Sequence, residues 1–153
     1  MIDNQFLENV EWFIENKPSV RSMCFRDTSN PLKKSDCDQI VLDFKKDIRL
    51  RMPLNDDYSI IRSININGRQ TLLSLFMHIY NFYQKQIDRD TLEDAFKEYP
   101  DILSDILDSR NGNQLKCIVV FSGSVCAPDF VGLEESESSS IDDPEFTVNL
   151  GPI

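Results

Sequence analysis

Apolar residues recur at helical spacing most densely between Gln70 and Ile87. Leu72, Leu75, Phe76, Ile79 and Tyr83 fall at i, i+3, i+4, i+7 and i+11, one face of a helix. Leu73, Met77, Tyr80 and Ile87 widen the stripe until Ser74, His78, Asn81, Gln84 and Lys85 are left for water. A helix this apolar needs cover on most sides, so the pattern predicts a central helix over about 70–87, with Thr71 as its cap. Upstream, Phe6, Leu7, Val10, Phe13 and Ile14 predict a first helix, capped by Asp3 or Asn4 and running to Asn16 before Pro18. Asp88, or Asp90 with Thr91, opens a helix that ends at Pro100, and a short amphipathic helix is expected over 101–108.

Period-two stretches lie on either side of these helices. Ile60, Arg62, Ile64 and Ile66 alternate with Ile61, Ser63 and Asn65, a strand followed by the turn dipeptide Asn67-Gly68. Ile40, Leu42 and Phe44 alternate with Asp43 and Lys45 and also read as a strand, although Ser35 or Asp36 would equally cap a short helix there. Leu115 to Phe121 is nearly all apolar and reads as an interior strand, with Ser122 to Pro128 as a loop. Phe130–Leu133 and Phe146–Leu150 are two further strands. Together these elements predict a single α+β domain over 1–153, a mostly antiparallel sheet packed on the central helix with additional short helices.

Charge changes the picture more than overall composition does. The chain has 153 residues, 41% of them hydrophobic, and a net charge of −10. No Lys or Arg follows Lys116, and Asp129, Glu134, Glu135, Glu137, Asp142, Asp143 and Glu145 place seven of the negative charges there. The stretch 134–145 is acidic and serine-rich and is expected to be a mobile loop. Such a loop suits docking on a basic protein surface, and Ser136, Ser138, Ser139 and Ser140 beside its acids suit phosphorylation. The candidate partner-binding residues are therefore Glu134, Glu135, Glu137, Asp142 and Asp143, with Trp12 and Phe82 as aromatics that adjacent helix positions turn away from the core.

Between Lys17 and Arg69, 11 basic residues face 7 acidic ones, a local excess that supports an alternative. In it, Lys33, Lys34, Lys45, Lys46, Arg49 and Arg51 contact nucleic acid, although the overall charge opposes this. An enzyme built on dispersed Asp, Glu and Cys is the remaining alternative. It has little to recruit. His78 is the single histidine, the five glycines at 68, 112, 123, 132 and 151 form no phosphate loop, and Ser122-Gly-Ser-Val-Cys lacks the second glycine of a nucleophile elbow. Acidic pairs such as Asp56-Asp57 fall in loops rather than on rigid elements.

Cys24, Cys37, Cys117 and Cys126 have no zinc spacing and read as buried or inert free thiols; no cofactor is expected. There is no apolar leader and no run long enough to span a membrane, so a cytoplasmic protein is expected.

Three segments carry a family resemblance. Thr71-Leu-Leu-Ser-Leu-Phe-Met-His-Ile-Tyr-Asn-Phe-Tyr83 is similar to a Thr-x-x-x-Leu-Leu-x-x-Ile-Tyr-x-Phe-Tyr helix of small uncharacterised proteins encoded by nucleocytoplasmic large DNA viruses. Phe130-Val-Gly-Leu133 resembles their Phe-Glu-Gly-Leu segment, with Val131 in place of the glutamate, and Phe146 to Pro152 resembles their closing strand. The resemblance spans roughly the C-terminal two-thirds of the chain and brings no catalytic residues. It implies a viral product acting in the host cytoplasm or the virion.

Overall fold

The computed structural model describes residues 1–54, 58, 60–101, 103–104 and 128–151. The helix expected over 101–108 lies largely outside the described residues, and the strand expected over 115–121 lies wholly outside them, as do Cys117 and Cys126. The described elements are α1 (Asn4–Asn9), β1 (Val10–Glu11), β2 (Cys24–Phe25), α2 (Lys34–Cys37), β3 (Ile40–Asp43), β4 (Ile48–Pro53), β5 (Ile61–Ile66), β6 (Arg69–Thr71), α3 (Leu72–Gln84), α4 (Arg89–Ala95), β7 (Asp129–Glu135) and β8 (Glu145–Gly151). The architecture is α+β. A four-stranded sheet of order β5-β4-β8-β7 is accompanied by two small antiparallel pairs, β1-β2 and β3-β6. Among the described residues every strand pairing is antiparallel except that of β4 with β8.

The central helix forms where its stripe predicts it. The Thr71 hydroxyl accepts from the Ser74 N–H at 3.1 Å, and the Ser74 hydroxyl accepts from the Thr71 N–H at 2.9 Å, so two amides at the start of α3 are satisfied reciprocally. Leu72, Leu75, Phe76, Ile79, Phe82 and Tyr83 are buried, and His78, Asn81 and Lys85 remain exposed. Tyr83 donates to the Pro53 carbonyl at 2.7 Å, fastening the far end of the helix to the end of β4. At the helix centre, the Phe76 ring stacks on Trp12 at 4.4 Å and meets Phe130 at 4.7 Å.

Trp12 and Phe82 are thus corrected from surface aromatics to core residues, 0% and 6% exposed. Helix α3 is covered so broadly that even its flank position 82 is enclosed, and the Phe82 ring meets Tyr83 edge-on at 4.9 Å. Trp12 turns inward because the first helix is shorter than its periodicity suggests. It ends at Asn9, and Val10 is already extended. From there burial alternates, with Val10, Trp12 and Ile14 inside and Glu11 and Phe13 half-buried, the period of a strand. The extended segment runs beside β7, where the Phe130 N–H donates to the Trp12 carbonyl at 2.9 Å and the Ile14 N–H to the Pro128 carbonyl at 3.1 Å.

Between residues 18 and 53, the strand reading of Ile40–Asp43 holds, and the short helix α2 precedes it with the Asp36 carboxylate accepting from the Lys33 N–H at 2.8 Å. β4 was not anticipated. Its Ile48, Leu50 and Met52 are buried while Arg49 and Arg51 are half-exposed on the opposite face. The Asn67-Gly68 turn is glycine for a steric reason: a Cβ at 68 would overlap the Lys46 and Phe44 carbonyl oxygens. This close approach places the turn after β5 against the turn between β3 and β4.

Candidate functional site

β7 and β8 form a hairpin whose loop, residues 136–144, carries most of the acidic serine-rich stretch. Glu134 and Glu135 belong to β7 itself and Glu145 opens β8, so the expected loop over 134–145 is shorter at both ends. A set of hydrogen bonds runs through it. The Ser136 N–H donates to the Glu145 carbonyl at 3.0 Å and the Ser139 N–H to the Ser136 carbonyl at 2.9 Å. Ser140 and Asp143 exchange backbone bonds at 3.2 and 3.3 Å, and the Ser140 hydroxyl accepts a further bond from the Asp143 N–H at 3.0 Å. The Ser139 hydroxyl accepts from the Glu145 N–H at 2.9 Å. A run of serines has little to bury, but short hydroxyl side chains satisfy nearby amides and thereby fix a loop locally.

Electrostatics fasten the same loop to β4. Arg49 donates to Glu145 at 2.8 Å and lies 3.7 Å from Asp143, while its own N–H donates to the Pro144 carbonyl at 3.0 Å. Lys46 lies 3.8 Å from Asp142. Ser138 adds a bond to the second Glu145 oxygen at 3.0 Å. The Arg49 guanidinium, with the Ser138 hydroxyl assisting, holds the Glu145 carboxyl below its ordinary range. Glu145 is mostly buried and acts as the fixed hub; Asp142 and Asp143 are open to solvent, where ion pairs contribute little.

The sequence-predicted acids divide accordingly. Glu134, Glu135, Glu137, Asp142 and Asp143 are all exposed, around one end of the hairpin. The predicted basic residues do not form one stripe. Lys33 and Lys34 precede β3, Lys45 and Lys46 follow it, and Arg49 and Arg51 lie on β4, where Arg51 donates to the Thr147 hydroxyl at 3.4 Å. Two of the six, Lys46 and Arg49, already face carboxylates of this chain. The two surfaces weighed as alternatives in the sequence therefore meet in the fold.

One feature of the loop escaped the sequence reading. Ile141 is 90% exposed at the hairpin tip; the next most exposed large apolar side chain among the described residues, Met1, is at 60%. The signal was present in the sequence as a single β-branched apolar residue inside a run of acids and serines.

The described cysteines are free. Cys37 is buried, and Cys24 donates its thiol to Glu11 at 3.2 Å. Burial pushes both thiols up, with neighbouring carboxylates adding to the effect, so neither is an activated nucleophile. Among the described residues no group of three or more His, Cys, Asp or Glu is placed to hold a metal ion, and no helix is long and apolar enough to cross a membrane. The chain matches no family model, no curated protein and no solved structure.

Proposed function

We propose that this chain is a non-enzymatic interaction module that docks a protein partner through the β7–β8 loop and the acids beside it. The observation that carries the reading is that five exposed carboxylates surround a loop held by its own hydrogen bonds. A segment already fixed in one shape loses less conformational freedom when a partner binds, which favours recognition. The partner surface is basic, and the docking is sensitive to salt. Resemblance to the large-DNA-virus proteins extends the proposal to a component of the virion or virus factory, with the host cytoplasm as its compartment.

The test is affinity capture from the native cell, comparing the full chain with a variant whose residues 136–144 are replaced by a Gly-Ser linker. A stoichiometric protein that is retained by the full chain and lost by the variant supports the reading. A partner retained equally by both, or capture of nucleic acid instead, overturns it.

A further inference from the structure

Burial has removed Trp12 and Phe82 from any docking surface and left Ile141 at the tip of the loop. Acids alone steer a partner but rarely anchor one, because exposed charge pairs contribute little to affinity. Interfaces are anchored by a few apolar side chains inserted into a pocket and surrounded by polar contacts. The loop supplies both parts: Ile141 at 90% exposure, with Asp142 and Asp143 directly after it and Glu137 exposed on the same loop.

Ile141 lies in a turn: Ser140 and Asp143 bond to each other on either side of it, and its side chain is exposed. Behind the turn, Arg49 and Lys46 hold the flanking acids from the β4 side. The cations nearest the loop are thus already engaged within the chain, leaving the outward side negative.

Resting on the interaction reading above, we propose that Ile141 is the apolar anchor of the docking loop. Its partner is a protein bearing an apolar pocket rimmed by Lys or Arg. Insertion of a fully exposed Ile into such a pocket accounts for about a 10- to 100-fold gain in affinity. The flanking acids pair with the rim and set the salt dependence.

The experiment places a diazirine amino acid of similar size at position 141 in the full chain and irradiates it in native-cell extract. The adduct is mapped by mass spectrometry, and the captured protein is then purified and titrated against three forms: the unmodified chain, Ile141→Ser, and D142N/D143N. Because Ile141 packs on nothing, Ile141→Ser keeps the wild-type melting curve, which separates lost binding from lost fold. The expected result is an adduct on an apolar residue close to Lys or Arg, about 10- to 100-fold weaker binding by Ile141→Ser, and several-fold weaker binding by D142N/D143N that converges on wild type at high salt. Wild-type affinity in Ile141→Ser overturns the anchor. If the Gly-Ser loop variant nevertheless loses that partner, the interaction reading stands without it. An adduct only on a second copy of this chain, or on a surface without basic residues, overturns the stated partner chemistry.

Discussion

Helix α3 and the β7–β8 loop are held together by opposite means. Around α3, Trp12, Phe76 and Phe130 form an aromatic stack, and the buried Tyr83 hydroxyl tethers the helix's far end to the Pro53 carbonyl. In the loop almost nothing apolar is buried, and the shape comes from serine hydroxyls, short backbone bonds and the Arg49–Glu145 pair. Apolar burial is non-directional and cumulative, so it makes a stable centre. Local hydrogen bonds are directional and individually small, so they specify a shape without demanding a core. The comparison shows how a chain with one core also builds a defined outer feature.

If that division is right, perturbations should separate the two regions. The largest effect belongs to the stack: Trp12→Ala removes the ring that covers Phe76 and should cost about 3–5 kcal/mol in chemical denaturation, with no dependence on salt. A value under about 1 kcal/mol would mean the ring is not central to the core. Next is the helix cap. Thr71→Ala should cost about 1 kcal/mol, read as a lower denaturation midpoint with an unchanged slope, because the Ser74 amide loses its acceptor.

The smallest effect is electrostatic and falls on the loop. Glu145 has its carboxyl held low in the folded state, so its contribution is present at pH values above the ordinary Glu range and is lost as pH falls through the lowered folded value. Glu145→Gln should therefore be less stable than wild type near neutral pH and nearly equal to it well below the ordinary carboxylate range. A difference that stays constant with pH would show that Glu145 acts through its shape rather than its charge.

The two regions also differ in how far they could be read from residues alone. Helix α3 was legible because a wide apolar stripe, a cap and a following helix-opening Asp88 all agree locally. The paired strands at 130 and 146 were legible for the same reason. The first helix was not, since Leu7, Val10 and Ile14 fit a helix while Val10, Trp12 and Ile14 fit a strand. The arbiter is the edge of β7, over 100 positions away in sequence, which supplies the extended segment with partners. β4 went unread because Arg49 and Arg51 drew attention as charges, although Ile48, Leu50 and Met52 alternate with them as a strand requires. The acidic loop was located but its hydrogen bonds were not, because composition reports what a segment cannot bury and not which amides its serines satisfy. Nor does composition reveal that the partner of Glu145 is Arg49.

That last pair has a consequence for the order in which the molecule assembles. Arg49 and Glu145 are 96 positions apart, and β4 and β8 join side by side only when the chain between them has been brought round. Closing so long a loop is entropically costly and is repaid only once the sheet is packed, so late formation is the expected order for this junction. During synthesis, α3 and the β3–β6 pair have all their residues available well before β8 emerges. On that order the hairpin can close through its own bonds first, and the Arg49 clasp from β4 is added to it afterwards.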